Sequence, residues 1–585
     1  MCYNLCVMRT TLRTTLAFCL ISTVACAAVA PHAKFEEGTL PDSCPASTFS
    51  ATVWRGETAY VDIPAGVRCQ GSGVSNQGSG VSVALGYYDE VAYEMQPGGV
   101  DVRKRPDVYR EDGRRPPTVA RITAAADAKP GIYNFGPLKV TVLNRVLPPA
   151  KDWKYFLDLW QHPWAVSRYF NVEPFSKEHY AKMEPIYRTL AECGCKALTT
   201  TLLDLPWNHQ CYDGYYSMIG RVKKSDGSWV FDYKLFDEYV EFGRKCGLGP
   251  DIACYTMCPW KYMATWKEEE SGVSNQGSGV SAQGSGVSAQ ESGVRGQESG
   301  VRNQGSGVRS QELVERREKL LPGSAEFEAY WGPFLVDFAR HLKEKGWFED
   351  TYIAMDERGP EDVKKIVDLI QAKAPGMKVA ICGKTKPSAF AGIQIENFCQ
   401  GFIHLRDDFL PELAPRRAKG YKTTFYVCAS AKHPNTFFES PGDESYYLGA
   451  YPVMVGFDGF LRWAANSWGE DPYKDGSFRT KDWKAGDVFL VYPNGELSSR
   501  LIELRAGIVA AEKMRILSSQ ESGVRSWSSE LELESGGGNL VGVRGRIAEI
   551  AKRYHFFPSV RDPSFDFGGF RREVESLVNG CADDK

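Results

Sequence analysis

One pattern constrains the fold more than any other: eight short apolar runs recur from residue 155 onward, most of them separated by helical segments. The runs are Tyr155 to Trp160, Ala197 to Leu203, Asp251 to Thr256, Thr351 to Met355, Lys378 to Cys382, Gly401 to Leu405, Thr423 to Cys428 and Gly459 to Trp463. Parallel strands need a crossover between them, usually a helix, so strands alternating with helices predict a parallel α/β sheet. Eight such units predict a sheet closed into a (β/α)8 TIM barrel in preference to an open one. Between the third and fourth runs, Phe327, Tyr330, Phe334, Phe338 and Leu342 recur at helical spacing, predicting a helix over 325–345.

The flanks follow other rules. Residues 31–148 carry alternating segments such as Thr58-Ala-Tyr-Val-Asp-Ile and Leu138-Lys-Val-Thr-Val-Leu, punctuated by Gly and Pro, which predict an N-terminal all-β sandwich. Pro148 and Pro149 form the junction to a barrel domain over 150–517, and charged helical sequence over 538–585 predicts a C-terminal helical extension. Residues 1–27 have the three parts of a signal peptide: Arg9 and Arg13, the apolar stretch from Leu16 to Ile21, and Ala25-Cys26-Ala27 as a cleavage site. The expectation is export, to a periplasmic or extracellular location. The apolar run is shorter than the roughly 20 residues a membrane span needs, so no span is expected. A lipid anchor at Cys26 is the minority alternative, because Thr23 stands where a lipoprotein signal would place leucine.

Residues 271–312 are six consecutive seven-residue units of the form SGV(S/R)xQ(G/E), and the unit recurs at 70–82 and 519–526. Period seven suggests a coiled coil, but each unit offers one apolar residue and at least one Gly, leaving no a/d seam. These segments read as flexible insertions, the largest placed between the third strand and its helix.

Composition removes several function classes. A formal net charge of −3, with no helix-turn-helix or zinc-finger spacing, leaves no basic surface for nucleic acid. HExxH, the P-loop and a strand-following GxGxxG are absent, so no metal, nucleotide or other cofactor is expected. Cys193 and Cys195 stand one residue apart and cannot easily pair, and buried free thiols are expected in a chain this long. Fourteen Trp residues suit the apolar faces of sugars and equally suit a core.

Among four Asp-Glu dipeptides (Asp89-Glu90, Asp237-Glu238, Asp356-Glu357 and Asp443-Glu444), context singles out the third. It follows the apolar strand Tyr352-Ile-Ala-Met and precedes Arg358-Gly359-Pro360, where Gly and Pro end the strand and open a helix. Both carboxyls therefore lie at the C-terminal end of the fourth strand, the catalytic face of a barrel. The alternative is a structural ion pair with Arg358. Asp237-Glu238, within a polar helical segment, is expected to be solvated. Two adjacent carboxyls in a partly dry cleft do not both ionise readily, which favours keeping one as an acid. Glycoside cleavage needs such an acid, and retaining enzymes ordinarily set a second carboxyl opposite it on a different segment. Sequence neighbours suit instead a route in which the sugar's own 2-acetamido oxygen attacks.

The segment YIAMDERGP, with LDLWQHPW (157–164), FYVC (425–428), HPNTF (433–437), DGFLRWAANSW (458–468), Asp471-Pro472 and WKAGDVFLVYP (483–493), resembles glycoside hydrolase family 123 in order and spacing. The resemblance implies an exo-acting, retaining β-N-acetylgalactosaminidase working through an oxazoline intermediate on a glycan or glycoconjugate with terminal N-acetylhexosamine. Carried onto this chain, Asp356 would polarise the acetamido group and Glu357 would act as acid and then base. Candidate sugar contacts at strand ends are Trp160, Trp207, His209, Trp260, Tyr426, Asn435, Trp463 and Trp468, with Gln161, His162, Asp204 and Asn466 beside them. For each one, core packing or loop support is the competing explanation. An inactive carbohydrate-binding protein on the same fold, or a glycosidase for another β-linked sugar, are the alternative functions.

Overall fold

In the computed structural model, residues 48–67, 69, 74–76, 79–96, 98–269, 313–478, 483–522, 542–555 and 564–580 are described. The signal-peptide segment with Cys26, the 271–312 repeats and the ends of the C-terminal extension lie outside the described residues.

Eight parallel strands form the barrel: Phe156–Leu159, Ala197–Thr201, Asp251–Tyr255, Thr351–Asp356, Lys378–Gly383, Asn397–Gly401, Lys422–Tyr426 and Gly459–Arg462. Each pairs with the next in chain order from the second onward, and the eighth pairs back to the first with Phe460 opposite Leu157. A parallel bridge between Leu157 and Cys195 joins the first strand to the second and closes the ring. Nearly every strand residue is buried, as expected where helices cover one face and packed side chains fill the other. The helix Ala325–Glu344 buries the five residues that its sequence periodicity singled out, and the Ser324 side chain caps it by accepting from the Phe327 amide.

The sixth strand differs from its expected position. It runs Asn397–Gly401, while Phe402–His404 forms a 3-10 turn. Asn397 and Gln400 disguise the strand as polar sequence, yet Gln400 is buried among its neighbours. Asp237 is a second correction: its carboxylate accepts from His341 Nε2 at 2.7 Å and pairs with Lys345 at 3.2 Å, so it joins two helices and is not simply solvated.

The N-terminal strands form two sheets. One comprises Phe49–Arg55, Leu138–Val146 and Gly131–Phe135; the other contains Thr58–Asp62, Val119–Ala124, Val81–Glu94 and Val74–Asn76, with Val102–Arg110 paired to Val81–Glu94. Val53, Val140 and Val142 from the first meet Val83, Ile122 and Ala124 from the second in a core of their own. The repeat copy at 70–82 is only partly an insertion, because Val74–Asn76 pairs antiparallel with Val81–Val83. Its alternating Val and Ser residues have the period of two that a strand requires. The copy at 519–526 begins within the helix Ser499–Ser522, which reaches four residues into it.

Around the large repeat, Met263–Glu269 and Leu313–Lys319 pair antiparallel from Met263 opposite Lys319 to Glu269 opposite Leu313. The extension contributes helices Val543–Arg553 and Phe567–Gly580, whose Phe570 ring meets Tyr447 on the barrel helix Gly442–Met454 at 4.7 Å. That helix and Ser499–Ser522 approach so closely that a Cβ on Gly449 would strike the Leu504 carbonyl oxygen. Among the described residues, no helix is long and apolar enough to cross a membrane, and ten cysteines are free thiols.

Candidate active site

Alternation along a strand would turn Asp356 and Glu357 to opposite faces of the barrel wall. Glu357 escapes that rule with a left-handed backbone, φ 46°, while its amide still donates to the Cys382 carbonyl at 2.7 Å. Non-glycine residues rarely hold this conformation, and here it brings two successive carboxyls into one pocket. That pocket, of about 400 Å³, lies at the C-terminal ends of the strands. Asp356 and Glu357 are the acidic residues among its described lining.

The two carboxyls have unlike surroundings. Asp356 Oδ2 accepts from the Trp260 indole at 2.9 Å, and burial followed by the neighbouring Glu357 charge pushes its carboxyl up to about 7. Glu357 Oε1 accepts from the Tyr426 hydroxyl at 2.6 Å, and its Oε2 pairs with Lys384 at 2.7 Å. Burial first, then the Glu357 charge, raises the Tyr426 phenol far above its ordinary value, so this hydroxyl stays a donor. Arg358 makes no ion pair with either carboxyl among the described contacts; it donates to the Cys258 carbonyl at 3.1 Å and lies over the Tyr262 ring.

Indole rings build the walls. Trp160 and Trp207 pack 4.8 Å apart at the floor, and Trp260 stands at the mouth, 39% exposed. Trp463 closes the far side, 5.8 Å from Trp483. Burying apolar ring faces beside a few convergent polar groups suits a sugar, which has both kinds of surface.

Of the residues singled out from sequence, the pocket therefore unites Asp356, Glu357, Trp160, Trp207, Trp260, Tyr426 and Trp463. His209 is exposed and outside the lining, although Trp207 before it and Gln210 after it both line the pocket. Asn435 is fully buried and gives its amide hydrogens to the Cys428 and Ala431 carbonyls, holding the loop that follows the seventh strand. Trp468 is core, with its indole donating to the Val491 carbonyl at 2.7 Å. Gln161, His162, Asp204 and Asn466 likewise support backbone: Asn466 Oδ1 accepts from the His162 amide, and Asp204 from the Ser217 amide.

Sequence reasoning missed Lys384, His404, Cys382, Trp483 and Gln210, all in the lining. Trp483 had a signal, since it opens the WKAGDVFLVYP segment; its indole donates to the Gln210 carbonyl at 3.0 Å. Lys384 had none beyond standing one residue past the fifth strand. No group of three or more His, Cys, Asp or Glu residues suited to a metal occurs among the described residues.

A closed parallel barrel with a carboxyl pair and an indole-walled pocket at its C-terminal mouth is the architecture of a glycoside hydrolase. The sequence of residues 160–517 matches the model of the glycoside hydrolase 123 catalytic domain, and the chain belongs to that family. Its structure is similar to that of a family 123 glycoside hydrolase from Clostridium perfringens, described for glycolipid glycan hydrolysis, with TM-score 0.69 and 21% identity over 91% of this chain and 94% of that one. A family 5 mannosidase from Rhizomucor miehei aligns at TM-score 0.29 and 12% identity, over 62% of this chain and 98% of that one. The catalytic domain of a β-amylase from Paenibacillus polymyxa aligns at TM-score 0.31 and 8% identity, over 61% and 98%. No protein of curated function matched the sequence.

Proposed function

We propose that the protein is an exo-acting, retaining β-N-acetylhexosaminidase that removes terminal β-linked N-acetylgalactosamine with assistance from the substrate's acetamido group. The observation carrying this reading is that the acidic groups in the pocket lining are sequence neighbours, turned into one cavity by the left-handed backbone at Glu357. A double displacement through an enzyme nucleophile needs a carboxyl on the opposite face of the sugar, about 5 to 5.5 Å from the acid. The described lining supplies none there, so the nucleophile is assigned to the substrate.

In this mechanism Asp356, steadied by the Trp260 indole, accepts the acetamido N–H and increases the electron density on the acetamido oxygen. That oxygen attacks the anomeric carbon while Glu357 protonates the departing glycosidic oxygen, giving an oxazoline ring that keeps its N–H, and so a positive charge, against the Asp356 carboxylate. Glu357, now ionised, takes a proton from the water that opens the oxazoline, and configuration is retained after two inversions. An acetamide N–H at Asp356 favours the ionised form there. The indole walls exclude water and seat the ring. Export to the periplasm or the extracellular space, proposed from residues 1–27, would place the enzyme where glycoconjugates are met.

The test is p-nitrophenol release from the β-N-acetylgalactosaminide, with the β-N-acetylglucosaminide and the plain β-galactoside as controls. Release is expected from the first, with Glu357→Gln abolishing turnover of substrates whose leaving group needs a proton. Equal cleavage of the plain galactoside would remove the acetamido group from the mechanism.

A further inference from the structure

Both oxygens of Glu357 are capped by donors, Oε1 by Tyr426 and Oε2 by Lys384. An acid that protonates a glycosidic oxygen must bring one of its own oxygens to hydrogen-bond reach of it, about 2.6–3.2 Å. The oxygen that carries the proton donates and is a poor acceptor for an ammonium or a phenol, so the cap on that oxygen has to go. Tyr426 cannot easily do so, being 8% exposed on the wall of the barrel. Lys384 can: its side chain is 58% exposed, and its polar contact among the described residues is Glu357 itself.

We propose that Lys384 is a positioning residue that caps Glu357 between turnovers and must release it before the bond is cleaved, the leaving-group oxygen taking the place of the ammonium. The inference rests on the glycosidase reading above. Lys384 opposes the first step, in which Glu357 needs a proton, and favours the second, in which Glu357 must be ionised. Its own ammonium is held above the ordinary lysine range, first by the hydrogen bond to Glu357. The charged and titratable groups facing the pair include Tyr255 on the third strand, Arg358 on its own segment, Cys382 and Lys384 on the fifth strand and its extension, His404 after the sixth, and Tyr426 and Cys428 on and after the seventh. Of these, Lys384 pairs directly with Glu357.

The experiment compares full-length wild type, Lys384→Met and Lys384→Arg across pH. An ammonium favours the ionised form of a neighbouring carboxyl, so its removal lets the pair hold its proton to higher pH. For phenyl β-N-acetylgalactosaminide, whose leaving group needs protonation, the basic limb of kcat/KM should move up by about one pH unit in Lys384→Met, a tenfold change. Lys384→Arg should keep the wild-type limb, and the 2,4-dinitrophenyl glycoside, which leaves without a proton, should show no such movement. Superimposed limbs in folded wild type and Lys384→Met would overturn the proposal while leaving the glycosidase reading intact. If wild type cleaves no N-acetylhexosaminide, that reading fails and the cap is judged without substrate. Trp260 fluorescence, assigned by its loss in Trp260→Phe, then follows titration of the pair; an upward shift in Lys384→Met supports the cap, and coincident curves reject it.

Discussion

Two kinds of carboxylate occupy the protein interior and the pocket, and they differ in what neutralises them. In the interior, Asp107 accepts from Arg500 at 3.1 Å, Ser499 at 2.7 Å and Tyr492 at 2.7 Å, and Asp487 lies 2.7 Å from Arg462; all four members of the two ion pairs are fully buried. Burial pushes the Asp107 carboxyl up, but the Arg500 and Arg105 charges and the hydrogen bonds prevail and hold it below its ordinary value. In the pocket, Asp356 has an indole and another carboxyl for company, and Glu357 has a phenol and a lysine that is mostly exposed. A carboxylate locked by a guanidinium of fixed geometry is a structural part. One whose proton is contested by a neighbour, with a partner able to leave, is a chemical one.

The largest expected effect breaks the first kind. Asp107 comes from the N-terminal strands and Arg500 from the helix after the barrel, so their pair stitches the strand-rich region to the barrel. Asp107→Ala strands a buried guanidinium and should cost about 3–5 kcal/mol in urea unfolding. A loss under about 1 kcal/mol would mean that water or Tyr492 compensates the arginine, and that the two kinds of site are less distinct than the geometry says.

Asp356→Asn should do the reverse. Turnover of N-acetyl substrates should fall by roughly 10², the scale for a positioned catalytic group. Stability should not fall with it. Because Asp356 is raised to about 7 by burial and by Glu357, its ionised form is a cost to the fold above that pH, and the neutral amide removes the cost. Thermal unfolding at about pH 8 should show a Tm equal to or above that of wild type. A loss of both activity and stability would move Asp356 toward the structural kind.

This contrast was only half legible in the sequence. The barrel could be read because its strands are buried on both faces and so form apolar runs; the sixth slipped where Gln400, a polar residue, is buried inside the wall. The carboxyl pair could be read because Gly359 and Pro360 mark the strand's end, but the turn of φ at Glu357 that points both inward has no such marker. Trp468 and Asn435 follow barrel strands in the sequence as Trp463 does, and only the fold shows that the first fills the core and the second ties a loop. Lys384 was illegible because its partner lies 27 residues earlier, across the gap between neighbouring strands.

Asp158, inside the barrel beneath the pocket, sharpens the comparison with the smallest expected effect. It is 4% exposed, on the first strand. Burial pushes its carboxyl up to about 7; the Trp160 indole and Lys422 oppose the rise and the Asp251 charge adds to it, while Lys422 is itself engaged by Asp251. Among the described residues no guanidinium pairs with it, so it should behave as Asp356 does although it lies outside the pocket lining. The folded value lies above the unfolded one of about 3.9, so the folded state binds the proton more tightly and stability falls as pH rises from about 4 to about 7, then levels. Asp158→Asn keeps the shape and removes the titration. Its stability gain over wild type should be greatest above pH 7, roughly 1–2 kcal/mol, and should shrink as pH falls toward 4. A gain independent of pH would show that Asp158 stays ionised in the fold. Lys422 would then be serving two carboxylates, and an uncompensated buried acid would distinguish the catalytic pocket alone.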